Sequence, residues 1–184
     1  MRAMVVAGAL LGFLAFTGFD CINDPFTLAV NVDPIPFHFA VPVGSTTPSD
    51  KEVVDLQNYV DDDYVDDLIS GAVNDIGIRV VGSHTGRSVS GAVTVGNGTT
   101  ATTPLVTIPA GRSWNDYLTE RRVATSPSYL TANSAGLDTL VAALKKRPLG
   151  FVTVQYAVTL GSASVAGDSV IITIYSQAGA GIHP

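Results

Sequence analysis

The sequence predicts a mainly β protein: an antiparallel β-sandwich of the jelly-roll or immunoglobulin-like kind, with two or three short helices in its connections. Three observations predict it. Hydrophobic residues make up 46% of the 184 residues and charged residues only 14%, against about a quarter charged in an ordinary globular domain. β-Branched residues dominate the apolar set, and Gly and Thr are plentiful, which suits short strands and turns. Apolar residues recur at period two in run after run, with Gly, Pro, Asn and Asp between the runs. No fixed-period repeat points to a solenoid or propeller. Strands and helices do not alternate regularly, which counts against a parallel α/β sheet.

The N-terminus reads as a leader. Arg2 precedes an apolar stretch from Met4 to Phe16, the length of a signal-peptide core and short for a membrane span. Residues 1–20 are therefore assigned to a leader and 21–184 to a single domain. Ala15-Phe16-Thr17 offers one cleavage site. A second route runs through Cys21, the sole cysteine. An apolar core followed closely by one Cys and a strand-rich domain resembles the leader of bacterial lipoproteins, and that resemblance implies acylation at Cys21. Gly18, Phe19 and Asp20 stand where the lipoprotein pattern has small residues. Secretion and lipid anchoring both export the chain, to the periplasm, outer membrane or extracellular space. With one cysteine, neither an intramolecular disulfide nor a multi-thiolate zinc site can form.

The elements follow in order. Leu28, Val30 and Val32 form a first strand. After Asp33-Pro34 the alternation resumes as Ile35, Phe37, Phe39 and Val41, with Pro36 and Pro42 on the other face. Proline cannot donate to a ladder, so this segment belongs at a sheet edge. "GSTTPSDKE" reads as a polar loop and "VVDL" as a short strand. Val60, Tyr64 and Leu68 lie four apart, with Val65 and Ile69 beside them, so "YVDDDYVDDLISG" reads as a short helix stopped by Gly71. Ile76, Ile78 and Val80 mark a strand, as do Val93 and Val95. Asn97-Gly98 predicts a two-residue hairpin turn, and "TTATTPLVTIPAG" the returning strand. In "RSWNDYLTERR", Ser113 caps one or two helical turns with Asp116 three residues later. "VATSPSYLTAN" reads as loop. Asn133 or Ser134 caps a helix with Leu137, Leu140, Val141 and Leu144 on its buried face, ended by Pro148. Two closing strands run through Val152–Val158 and Val170–Ile174. "GSASVAGDS" is read as the hairpin loop between them and "QAGAGIHP" as a loose tail.

Candidate chemistry is sparse. Asp61, Asp62, Asp63, Asp66 and Asp67 could hold Ca²⁺, yet an EF-type loop needs alternating oxygen donors, a central Gly and a distant Glu, none of which is present. A solvated helix start explains them more simply. Trp114 with Tyr117, and Tyr59 with Tyr64, are candidates for an exposed carbohydrate platform, although aromatic residues at such spacing are more commonly core. "GDSV" (Gly167 to Val170) resembles the nucleophile block of a lipase family carrying Gly-Asp-Ser-Leu. That resemblance implies a nucleophilic Ser169, while Gly-Asp-Ser is also ordinary turn chemistry. "GRSVSG" misses a Gly-x-Ser-x-Gly elbow at Ser90 and reads as a strand start. Asn97-Gly98-Thr99 matches a glycosylation sequon, though Asn-Gly is explained as a turn. His38, His84 and His183 share no metal-ligand spacing. A hydrolase would need His38 or His84 beside an acid or nucleophile.

The net charge is −6, and the basic cluster Lys145-Lys146-Arg147 ends a predicted helix, where cations complement the dipole. An acidic surface repels phosphate backbones, so no nucleic-acid partner is expected. The composition and strand pattern resemble small exported bacterial envelope β-sandwich proteins. The expectation is a structural or interaction role toward an unknown envelope or extracellular partner, without catalysis or cofactor. The membrane would be reached only through an anchor at Cys21. A carbohydrate- or calcium-binding module is the first alternative, and a hydrolase the second.

Overall fold

The computed structural model describes residues 26–60, 68–146 and 149–182. Among the described residues, ten strands make two five-stranded antiparallel sheets. They are β1 (Phe26–Asn31), β2 (Ile35–Ala40), β3 (Ser49–Asp55), β4 (Leu68–Val81), β5 (Ser88–Asn97), β6 (Thr103–Ser113), β7 (Arg121–Arg122), β8 (Thr131–Ala132), β9 (Phe151–Leu160) and β10 (Ser169–Ile182). One sheet runs β2-β10-β4-β7, with β1 continuing the β2 edge along the second half of β10. The other runs β3-β9-β5-β6-β8. The connections β2–β3, β4–β5, β6–β7 and β9–β10 all cross from one sheet to the other. This interleaving is the jelly-roll order, which decides between the two sandwich types the sequence allowed.

Period-two alternation builds the core directly. Phe37, Phe39, Ile76, Ile78, Ile172 and Ile174 point inward from the first sheet. Val93, Val95, Leu105, Val154 and Tyr156 meet them from the second. Phe39 and Tyr156 touch across the gap with ring centroids 4.9 Å apart. Each such side chain contributes roughly 1.5–3 kcal/mol of gross burial, most of which chain entropy offsets. The helix α1 (Ser134–Lys145) packs on β4 of one sheet and on β5 and β6 of the other, covering the gap between them. Asn133 caps it, its side chain accepting from the Ala135 N–H, and Leu140 and Leu144 are buried as the spacing predicts. Leu137 and Val141 are only half-buried. Pro148 lies outside the described residues.

Most strands fall where alternation places them, including β2 at a sheet edge, where Pro36 sits opposite Thr173. Several expectations are corrected; the short strands β7 and β8 stand where a helical turn and a loop were expected. The polar stretch from Ser49 to Glu52 is not loop but the start of β3, which pairs only with β9 and keeps its polar side chains in water. Leu68 to Gly71 are not helix but the start of β4, paired with Ala180 to Ala178 of β10. Partnering along a long strand there outweighs a four-residue apolar spacing. The tail is β10 itself, held between β1 and β4 as far as Ala180 and paired with β1 as far as Ile182. Residues 161–168 do not form a hairpin but cross between the sheets. Asn97-Gly98 does start the β5–β6 turn, with Gly98 at φ +100, but the connection continues to residue 102. Thr94 Oγ1 donates to Ala101 O there at 3.0 Å, and Thr153 Oγ1 donates to Gly98 O, drawing the turn back over the sheet.

Candidate functional site

Four connections meet at one end of the sandwich: residues 41–48, 82–87, 114–120 and 161–168. Their junction is a polar cluster centred on Asp168, whose side chain is 1% exposed. Gly167, at φ +90, turns the chain so that Asp168 points inward just before β10 begins. Asp168 Oδ2 accepts from Arg87 Nη1 at 2.5 Å and from the Val165 N–H at 3.0 Å. Asp168 Oδ1 stands 2.5 Å from His84 Nε2. Arg87 is itself buried and also donates from Nη2 to Ala163 O at 2.6 Å and from Nε to Ser162 Oγ at 3.2 Å. A buried guanidinium bound by a carboxylate and two further oxygens is how such a charge is tolerated.

Trp114 supports the cluster from the 114–120 connection. Its indole N–H donates to Gly82 O at 2.6 Å, and its backbone N–H to Arg87 O at 2.8 Å. Arg87 lies 5.6 Å from the indole centre, and the His84 ring meets the indole edge-on at 6.1 Å. Asn115 Oδ1 accepts from the His84 backbone N–H at 2.7 Å. The 41–48 connection joins through Val41 N–H to Asp168 O, and through the pair Gly44 N–H to Ser164 O and Ser164 N–H to Ser45 O. Burial alone would raise the Asp168 carboxyl. Hydrogen bonds from the Val165 N–H, His84 and Arg87, with the Arg87 charge, outweigh burial and hold it below the ordinary carboxylate range.

Chemically, the cluster orients an imidazole against a carboxylate that Arg87 already neutralises. The His84 side chain is 18% exposed, and no partner at Nδ1 is found among the described residues. No described hydroxyl hydrogen-bonds to His84: Ser162 serves Arg87, and Ser164 Oγ donates to Pro42 O and accepts from the Ser45 N–H. The arrangement ties four loops together around one buried anion.

The sequence candidates distribute as follows. Trp114 and Tyr117 are fully buried. They offer no ring face to a sugar, because the short 3-10 turn Trp114–Tyr117 points both inward. That turn has the expected capping box of Ser113 and Asp116. Tyr59 packs partly buried against the core. His38 is exposed on β2, where its backbone N–H donates to Glu52. Ser169 is the first residue of β10, paired with Ala40 and Val81. Among the described residues no group of three or more His, Cys, Asp or Glu converges as a metal site. Cys21, Asp61, Asp62, Asp63, Tyr64, Asp66, Asp67 and His183 lie outside the described residues. Sequence reasoning missed Arg87 and passed over Asp168 as turn chemistry. The two are 81 positions apart, and no local pattern links them.

No family model and no curated protein matches this chain. Among solved structures, one from Desmodium yellow mottle tymovirus is similar at 9% identity and TM-score 0.36, covering 87% of this chain and 90% of that one. One from turnip yellow mosaic virus is similar at 10% identity and TM-score 0.34, covering 86% of this chain and 95% of that one.

Proposed function

We propose that the chain is an exported β-sandwich of the cell envelope or extracellular space with a structural or interaction role, meeting its partner through the fastened loop end. The observation that carries this reading is the polarity of the fold. Phe26, shortly after Cys21, faces Ile182 at the far end of β10. The fastened loops gather at the near end, beside Ser169. The 14 residues of β10 separate the two ends, on the order of 45 Å at ~3.4 Å per residue. A chain held at its N-terminal side therefore presents the loops outward. Val43, Val81, Leu118 and Val165 are exposed in or beside those loops. Apolar side chains on a fixed rim suit contact with another protein.

Two measurements test the reading. The intact mass of the exported protein gives the cleavage site and any acyl chain on Cys21, and an uncleaved cytoplasmic chain overturns the export half. A photo-crosslinking residue replacing Val165 should capture a discrete partner, while one replacing Arg79, exposed on β4, should not. Equal capture at both positions, or none at either, overturns the loop-end half.

One observation favours a second reading, a hydrolase: the oriented His84–Asp168 pair with its partly exposed ring. Labelling by a serine-directed fluorophosphonate that His84→Ala abolishes would support it. Unlabelled protein would remove it.

A further inference from the structure

A second polar cluster lies around Tyr129, apart from the Asp168 network. Arg112, near the end of β6, holds its guanidinium carbon 4.7 Å from the centre of the Tyr129 ring, and Arg121 of β7 holds its own at 4.4 Å. Tyr117 fixes that ring. It meets Tyr129 edge-on at 6.2 Å and donates its hydroxyl to Tyr129 O at 2.8 Å. One donor on each arginine is engaged by backbone: Arg112 Nη2 by Ser128 O, and Arg121 Nε by Asp116 O at 2.7 Å. A guanidinium carries five N–H donors, so most of each fork remains for another acceptor.

The contrast with neighbouring arginines is what makes the pair notable. Arg87 is bound by Asp168, and Arg122 by Glu120 at 3.1 Å. Among the described residues no carboxylate lies within ion-pair distance of Arg112 or Arg121. Asp116 turns Oδ2 to the Ser113 N–H at 2.9 Å, and Glu120, next to Arg121 in sequence, binds Arg122 and accepts from the Tyr175 hydroxyl instead. Two like charges thus share one aromatic ring without a counter-charge, in a chain whose net charge is −6. An oxyanion would offset that charge, and planar forks match oxyanions in pairs of parallel hydrogen bonds.

We propose that Arg112 and Arg121 form a binding site for an oxyanion group of a ligand, either a carboxylate or a phosphate- or sulfate-type group. The site borders the loop end through the 114–120 connection, and it stands or falls apart from the export reading. The test follows the Nε–H signals of arginine in the purified chain by NMR. One titration uses inorganic phosphate and another glucuronate, both at constant ionic strength. Saturable shifts at Arg112 and Arg121, with Arg79 unmoved, are expected, and the anion that saturates first identifies the group. Arg112→Lys and Arg121→Lys keep the charge over Tyr129 but lose the fork, and should weaken binding roughly tenfold or more. Retained melting temperatures would show that these variants fold. Linear shifts with both anions, equal shifts at Arg79, or undiminished affinity in the folded lysine variants would overturn the site.

Discussion

Arg87 and Asp168 are in contact at 2.5 Å with side chains 3% and 1% exposed, although 81 positions separate them in sequence. Removing one partner strands the other charge in the interior. Arg87→Ala or Asp168→Ala should therefore destabilise the protein by about 3–5 kcal/mol. Replacing both with apolar residues should lose less than the two single changes added together. Urea unfolding of the four proteins measures this coupling.

The same pair makes stability depend on acid. A carboxyl held below its ordinary value in the folded state binds protons more readily when unfolded. The contribution of Asp168 is therefore complete above the unfolded value of ~3.9 and disappears as pH falls through the lower folded value. Melting temperature should fall below about pH 4. Asp168→Asn should be less stable at neutral pH and should show a shallower acid slope. An unchanged slope would show that other carboxylates carry the acid transition.

Gly82 sits at φ +95, and a Cβ there would come within 2.3 Å of Asp168 Oδ1. Gly82→Ala should therefore combine backbone strain of roughly 1–2 kcal/mol with displacement of the carboxylate from His84. Gly44 has φ +80 but open space around it. Gly44→Ala should show only the backbone part, again about 1–2 kcal/mol. Denaturation midpoints in that order, wild type above Gly44→Ala above Gly82→Ala, are the expected result.

The alkaline side belongs to the buried tyrosines. Burial pushes the Tyr156 hydroxyl up to about 12, with Asp50 adding to it, and its oxygen has no hydrogen-bond partner among the described residues. An acid group with a raised folded value contributes stability below its unfolded value of ~10 and loses that contribution as pH rises toward the folded one. Tyr156→Phe removes an unpaired buried hydroxyl. It should leave stability unchanged or raise it by about 1 kcal/mol at pH 7 and should soften the loss above about pH 10. Thermal melts at pH 7 and pH 11 would separate the two effects.

What was legible in the sequence was what depends on near neighbours. Alternation found the inward faces of β2, β4, β5 and β9, and Pro36 marked an edge. Ser113 with Asp116 announced a capped turn, and Asn133 a helix start. Segments without an apolar signature were misread because partners, not composition, decide them. Ser49 to Glu52 become a strand only because β9 lies alongside. Gln177 to Ile182 are mostly Gly and Ala, with no alternation to read, yet β1 pairs along them and β4 flanks them as far as Ala180. The site was less legible than the fold for the same reason. Arg87, His84 and Asp168 come from two loops that approach only when the sheets stack. Trp114 and Tyr117 were open to both a core and a platform reading, because residue type alone does not tell which way a 3-10 turn faces.

Phe26 standing opposite Ile182 in register means that the path through the sandwich almost closes on itself. A circular permutant joining the chain ahead of Phe26 to that after Ile182, and opened at the exposed Thr99–Thr100, would keep every strand beside its present neighbours. The order in which these strands are synthesised could then be rearranged while their order in space stayed the same.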